Sequence, residues 1–187
     1  ALMGKLKLRP DNQQGKLWEY QSCCTQILGY VIRNVTKKSV AENANAYLWQ
    51  PLGAESDALW STDKKGMEKS FCCINATARD FARLGQMVLQ HGRWDSTQVI
   101  DAAYITQMTT PASYLKDERG NTCDWYGYQT WIINYKNEPI PYFRGILGQF
   151  IFVLPKENAV IVRLGKKIKK DSKDPHYQNN DIRNYIE

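Results

Sequence analysis

The sequence predicts an α+β domain: a helical lobe beside an antiparallel sheet flanked by helices. Three observations point there. Apolar residues in the first half fall at helical spacing. The second half changes to short runs of aromatic and β-branched residues. Those runs are joined by turns too short to hold a crossover helix. The change of period divides residues 1–115, a mostly helical lobe, from residues 116–187, antiparallel strands and a C-terminal helix. Both are expected to be parts of one domain, since 187 residues suit a single core.

The elements follow in order. From Cys24 onward, Ile27, Leu28, Val31 and Val35 fall on one helical face, with Tyr20-Gln21-Ser22 at the helix entrance. Ser39-Val40-Ala41-Glu42 is a capping box, and its helix runs through Trp49 to Pro51 and Gly53. Thr77 opens another helix with Phe81, Leu84, Gly85 and Val88 on its face and Gly92 as its stop. A shorter helix covers Ala102 to Met108, ended by Thr110-Pro111. Trp125 to Tyr135 then reads as a strand, Lys136 to Pro139 as a turn, and Ile140 to Ile146, Gln149 to Leu154 and Ala159 to Leu164 as further strands. Pro155 to Asn158 makes the last two antiparallel neighbours, and Asp181 to Glu187 begins a packing helix.

Composition narrows the function classes. Apolar residues make up 43% and charged residues 24%, as in ordinary globular proteins. No apolar run reaches the roughly 18 residues of a membrane span. The net charge is +6, with Lys166, Lys167, Lys169, Lys170 and Lys173 clustered. No aromatic residues interleave with those lysines, so they read as a solvated loop and no nucleic-acid partner is expected. Cys23, Cys24, Cys72, Cys73 and Cys123 form neither C-x-x-C nor zinc spacing. Free thiols are expected at all five, and neither a metal nor a cofactor is expected. The chain opens ALMGKLKLRP, without a signal-peptide pattern, and both ends are expected to be cut from something longer.

Two distant segments can carry chemistry. Tyr20 at a helix entrance could shuttle protons if a neighbouring ammonium favoured its phenolate, and Ser22 could bond within the same cluster. Phe143-Arg144-Gly145-Ile146-Leu147-Gly148-Gln149 breaks a strand with glycines. An edge strand there could offer a backbone N–H to a developing oxyanion. Together these are two of three parts of a serine acyl-hydrolase site. The third would be Ser-x-x-Lys at a helix N-terminus, upstream of the tyrosine. The 19 residues before Tyr20 contain no serine, so the nucleophile is expected outside the chain. Two runs, Ser61 to Lys64 and Ser113 to Lys116, fit the spacing but fall in polar or post-proline loops. His91 reads as a helix cap and His176 as part of a polar tail, leaving no Ser-His-Asp arrangement.

The ordered blocks resemble the serine β-lactamase and penicillin-binding-protein-like hydrolases, most closely class C β-lactamases, esterases and nylon-oligomer hydrolases. The blocks begin with Tyr20 to Ile32. They continue with Leu48 to Ala54, Ala76 to Gln86, Tyr126 to Trp131, Gly145 to Gln149 and Val160 to Gly165. The resemblance implies a β-lactamase/transpeptidase-like fold, incomplete at the N-terminal side, with the site between helical lobe and sheet. It implies that Tyr20 is the catalytic tyrosine and Ser22 the third residue of its motif. It also places Gly145 and Ile146 on the strand lining the site, with the Ile146 N–H in the oxyanion hole. Phe143-Arg144-Gly145 departs from the family's Lys-Thr-Gly, and Leu147 stands where relatives can have His. Strand alternation turns Arg144 away from Phe143, so an apolar wall beside the site favours short neutral esters or amides over β-lactams. An ester, amide or peptide-like small molecule is the expected substrate, with an upstream segment of the same protein completing the site. The alternative is a catalytically silent relative that binds a peptidoglycan-like or peptide ligand, or serves as a scaffold. Relatives commonly work in the bacterial cell envelope, and the resemblance implies the same location here.

Overall fold

A computed structural model describes residues 15–166 together with Ile182, Tyr185 and Ile186. The expected lysine loop beyond Lys166, most of the C-terminal helix and His176 lie outside the described residues.

Helix α1 spans Ser22–Thr36 and ends at Lys37 in the left-handed region. Helix α2, Val40–Ala44, has the full capping box: Ser39 Oγ accepts from the Glu42 N–H at 3.1 Å, and Glu42 Oε2 accepts from the Ser39 N–H at 2.7 Å. It runs into one π-helical turn, Asn45–Trp49, where a single α-helix was expected. Helix α3, Ala78–Leu89, starts at Thr77, whose hydroxyl accepts from the Asp80 N–H. Helix α4, Ala102–Thr109, is capped by Asp101. Two minimal hairpins, β1 with β2 (Leu59–Trp60, Ile74–Asn75) and β3 with β4 (Arg93–Trp94, Thr97–Gln98), decorate the lobe. Two-residue strands leave no alternation for a sequence reading to detect.

The main sheet is an antiparallel meander, β5 (Trp131–Tyr135), β6 (Glu138–Gly145), β7 (Gln149–Leu154) and β8 (Ala159–Arg163), in chain order. The β5–β6 turn is only Lys136-Asn137, both at positive φ, so Glu138 and Pro139 join the strand instead of the turn. Pro139 and Pro141 have no N–H to offer, and the β6–β7 ladder begins only at Tyr142. Strand β5 starts at Trp131; residues 125–130, expected to extend it, form a loop fastened by the Ile132 N–H to the Trp125 carbonyl.

Alternation along these strands makes two cores. One face buries Trp131, Ile133, Tyr142, Phe150, Phe152 and Leu154 with Cys123, Trp125 and Ile182. The other face turns Val153 and Phe143 toward Leu52, Met87, Val88 and Ile105. Helix α3 crosses this second face at Gly85, where a Cβ would come within 2.5 Å of Val160 Cγ1 and 2.9 Å of Ile151 Cγ2. Only glycine lets the helix approach that closely.

Cys72 and Cys73 form a disulfide, correcting the expectation of five free thiols; Cys23, Cys24 and Cys123 are free. Cys73 adopts φ 76°, the reversal that brings neighbouring sulfurs together. The surrounding loop is pinned by Trp60 Nε1, which donates to the Cys72 carbonyl at 2.9 Å, and by the Ser61 N–H to the Cys73 carbonyl. Among the described residues no helix is long and apolar enough to cross a membrane.

Candidate functional site

Residues 16–20 run beside the loop after α4. The Trp18 N–H donates to the Lys116 carbonyl at 2.8 Å, and the Lys116 N–H donates to the Lys16 carbonyl at 2.9 Å. This short parallel pairing delivers Tyr20 to the mouth of α1. Trp18 is the anchor: its ring meets Trp125 at 5.4 Å, Tyr126 at 5.7 Å and Trp131 at 6.1 Å, all edge-on. Edge-to-face contacts at these distances are the favoured aromatic geometry. The sheet core therefore continues outward as an aromatic cluster, and Tyr20 sits at its end.

Tyr20 packs on Trp131 at 5.4 Å and on Tyr126 at 6.1 Å, yet remains 53% exposed. It stands on the wall of a cleft of about 420 Å³ shared with Trp18, Cys24, Leu28, Tyr104 and Tyr126. Thr25 Oγ1 donates to Gln129 Oε1 at 2.9 Å and so ties the first turn of α1 to the opposite rim. Ser22 is exposed as the first residue of the helix. The N-cap Gln21 makes no side-chain cap; its Oε1 instead accepts from the Cys23 thiol at 3.3 Å.

The two tyrosines of the cleft differ in kind. Burial, then the neighbouring Tyr20 and Cys123, push the Tyr126 phenol far above its ordinary range, so it is a neutral donor at any ordinary pH. Tyr20 has the solvent access that proton exchange requires. Burial and the adjacent Cys23 also raise the Cys24 thiol, and burial pushes Cys123 up to about 11. Neither is a ready thiolate nucleophile at neutral pH.

The glycine segment lies elsewhere than expected. Strand β6 ends at Gly145, and Ile146-Leu147-Gly148 is the β6–β7 turn, with Leu147 at φ 61° and Gly148 at φ 84°. Strand β6 is also internal to the sheet, not an edge, because β5 and β7 flank it. Ile146 is 84% exposed, and its N–H makes no hydrogen bond among the described residues. The turn is held at its base, where the Gly148 carbonyl accepts from Arg163 Nη1 and the Gly165 N–H donates to Gln149 Oε1. No residue from 143 to 149 lines the Tyr20 cleft. The structure does not bring the two segments into one cavity; they are linked through Trp131.

That link corrects the substrate wall. Phe143 points to the α3 face and packs in the second core. Arg144, on the opposite face, lies over the Trp131 ring at 5.2 Å, and Tyr20 packs on that same ring. Alternation correctly separates the two side chains but does not say which one faces the site.

Neither Ser-x-x-Lys run starts a helix. Ser61 pairs by backbone with Cys73 and Lys69, and Asp63 closes a turn by accepting from the Lys65 and Met67 N–H groups. Ser113 and Tyr114 form a turn. Tyr114 and Leu115 line the Tyr20 cleft, so this second run is brought to the wall of the site without the helical register that would put Ser113 and Lys116 on one face. His91 is exposed at φ 52°, just past α3, and its carbonyl accepts from Gln98. Trp18, Tyr104 and Tyr114 escaped the sequence reading as cleft residues; the pairing of residues 16–18 with Lys116 places Trp18 beside Tyr114, and Tyr104 joins from α4, its ring 6.4 Å from that of Tyr128.

The comparisons agree with this architecture. A beta-lactamase family model matches residues 6–180. The 6-aminohexanoate-dimer hydrolase of Paenarthrobacter ureafaciens is 29% identical over 175 residues, 90% of this chain and 44% of that protein. A solved "putative 6-aminohexanoate-dimer hydrolase from Bacillus anthracis" superposes with a TM-score of 0.79 at 27% identity, covering 95% of this chain and 44% of the other. A family VIII carboxylesterase shares the fold, with a TM-score of 0.58 at 19% identity over 80% of this chain and 53% of its own. The chain thus spans less than half the length of the two dimer hydrolases it matches. With the matched model covering nearly all of its length, the chain belongs to the beta-lactamase family of hydrolase-fold proteins.

Proposed function

We propose that this chain is the part of a serine acyl hydrolase that supplies the catalytic tyrosine. The nucleophilic serine and its lysine come from a segment outside these 187 residues. The reaction cleaves an ester or amide. The serine oxygen attacks the carbonyl carbon, its proton passes by way of Tyr20 to the leaving group, and water then attacks the acyl-serine. Ser22, two residues after Tyr20 and exposed as the first residue of α1, is the third residue of the tyrosine motif. The Ile146 N–H, unbonded at the tip of its turn, is available to an oxyanion once the site is assembled. The single observation that carries the reading is Tyr20 itself: half-exposed, ring-packed and held at the entrance of α1 in a chain of this family. The relatives' names add amide hydrolysis between amino-acid units as one form of the reaction. With Phe143 turned to the other face, the ground for preferring neutral substrates is gone, and the proposal covers esters and amides alike.

The test is Tyr20→Phe in the full-length parent protein. Turnover of an aryl ester is expected to fall by at least about 100-fold, the usual scale for a positioned acid–base group, with circular dichroism unchanged. Retained turnover would remove Tyr20 from the mechanism. A fluorophosphonate probe should label the full-length protein and leave the 187-residue chain unlabelled. The second reading, a silent family member that binds a peptide-like ligand in the aromatic cleft, is favoured by the turn geometry of both Ser-x-x-Lys runs. It predicts no label on either form.

A further inference from the structure

The Cys72–Cys73 disulfide joins neighbours in sequence, with Cα atoms 3.7 Å apart. A disulfide constrains the unfolded chain more the longer the loop it closes, and no loop is shorter than this one. The pair therefore adds little as a staple. What it fixes is local. Cys73 sits at φ 76°, a left-handed backbone that a residue with a side chain rarely adopts, and the cross-link holds that reversal in place. The loop hangs on it. Trp60 Nε1 donates to the Cys72 carbonyl at 2.9 Å and to the Lys69 carbonyl at 3.1 Å. The Cys73 carbonyl accepts from the Ser61 N–H at 3.1 Å, and Ile74, the next residue, pairs with Trp60 across the β1–β2 hairpin. Just before the pair, residues 68–70 grip helix α1. Gln26 exchanges hydrogen bonds with the Glu68 carbonyl and the Ser70 N–H, and Gly29 lies so close to Ser70 that a Cβ there would collide with its side chain.

We propose that Cys72–Cys73 is a redox-active pair: a thiol–disulfide exchange site that takes a dithiol as co-reactant, and whose state sets how firmly residues 59–75 hold α1. The exchange has two steps. One thiolate of the dithiol attacks Cys73 Sγ, on the exposed residue of the pair, while Cys72 is partly buried. The bond between the two cysteines breaks, and Cys72 Sγ leaves as a thiolate and takes a proton from water. The second thiolate of the dithiol then attacks the reductant's sulfur in the mixed disulfide. Cys73 Sγ leaves and is protonated in turn. The pair gains two electrons and two protons, and the dithiol departs as a disulfide. Access selects this pair, since a reactive disulfide must meet its reductant at the surface. The short loop means that opening it removes little from the stability of the whole. The position gives the opening a consequence: Cys73 is freed from its left-handed φ, and the Trp60 and Ser61 hydrogen bonds lose their anchor. The effect stays local, because no residue from 59 to 75 belongs to either apolar core. The inference stands apart from the acyl-hydrolase reading and needs no catalytic role for Tyr20.

The test is a dithiothreitol titration of the folded 187-residue chain, purified in air without reductant. It is read by mass after alkylation with iodoacetamide in denaturant, and by amide hydrogen exchange. Before reduction Cys23, Cys24 and Cys123 are expected to alkylate; after it Cys72 and Cys73 join them, at dithiothreitol concentrations that leave circular dichroism unchanged. Exchange of the Ser61 and Ser70 N–H groups is expected to speed about tenfold or more on reduction, while amides of β5 to β8 keep their rates. A Cys72→Ser, Cys73→Ser double variant should exchange like the reduced chain and ignore dithiothreitol. Cys23→Ser, Cys24→Ser and Cys123→Ser should each keep the response. The proposal is overturned if all five cysteines alkylate before reduction, or if the pair resists dithiothreitol until the chain unfolds. It is also overturned if the pair is reduced and exchange at residues 59–75 does not change. The wild-type titration decides without the double variant, because it reads the pair with no substitution made.

Discussion

Strand β7 and helix α1 are both written in large apolar residues, Phe150 to Leu154 in one and Ile27 to Val35 in the other, yet they meet opposite fates. Phe152 and Val153 are 0% and 2% exposed, one on each face of the sheet. Val31 and Val35 stand mostly in solvent on a well-formed helix. Periodicity states which residues are to be buried and in what geometry; it says nothing about whether the partner surface belongs to the same chain. In β7 both partners are local, α3 on one side and the aromatic cluster on the other. In α1 the hydrogen bonds to the rest of the chain come from the polar side, at Gln26 and Arg33, while among the described residues Val31 and Val35 of the apolar side stay half-exposed or more.

The sharpest break of the contrast is a truncation in the strand. Phe152 stacks on Tyr142 at 5.4 Å and on Tyr185 at 6.2 Å, inside a closed core. Phe152→Ala in the 187-residue chain should cost about 3–5 kcal/mol, the transfer loss of the ring plus the cavity left behind. Urea denaturation measures it, and a loss below about 1 kcal/mol would mean that the sheet core is not the stable half.

Next in size is Asp80, the buried charge that ties the first turn of α3 to the loop at Glu55. Its Oδ1 accepts from the Glu55 N–H at 2.7 Å and its Oδ2 from the Thr77 hydroxyl at 2.7 Å, with Arg83 Nε at 3.8 Å. Burial pushes its carboxyl up, but the two donors and Arg83 outweigh burial and hold it below its ordinary value. A carboxylate lowered on folding stabilises the fold above its unfolded pKa, near 3.9, and loses that contribution as pH falls through the folded value. Asp80→Ala should cost about 2–3 kcal/mol at pH 7, because it strands the Glu55 N–H and the Thr77 hydroxyl. The gap between wild type and variant should narrow below about pH 4. A gap that stays constant with pH would show that the hydrogen bonds matter and the charge does not.

What the sequence could and could not reveal follows the same line. The caps at Ser39 and Thr77 and the order of the meander are local: each depends on residues within a few positions, and each is found where expected. The misreadings are relational. Trp125 to Thr130 has strand composition but serves as a loop because Trp125 must reach Trp18. Ile146 completes a strand pattern, but Leu147 and Gly148 at positive φ turn the chain one residue earlier. The neighbouring cysteines pair only because Cys73 reverses its backbone, which no spacing rule announces. For the candidate site, Tyr20, Tyr126 and Trp131 were legible as aromatic residues. Their convergence depends on the Trp18–Lys116 pairing across nearly a hundred residues.

The smallest expected effect is the most diagnostic of the contrast. Val35 lies in the last turn of α1, 75% exposed, where Arg33 is the basic residue. Lysine has the higher helix propensity, by a few tenths of a kcal/mol, and a cation near a helix C-terminus gains about 0.3 kcal/mol or more from the backbone dipole. Val35→Lys in the 187-residue chain should therefore leave stability within about 0.5 kcal/mol of wild type, with the shift on the stabilising side. In a protein where the apolar side of α1 is covered, the same lysine must either be buried or hold its partner off. The cost there should exceed about 2 kcal/mol, the scale of burying a polar group without a partner. Measuring one substitution in both forms turns the comparison of β7 with α1 into a number. Equal effects in the two would mean that α1 is a surface helix in every context.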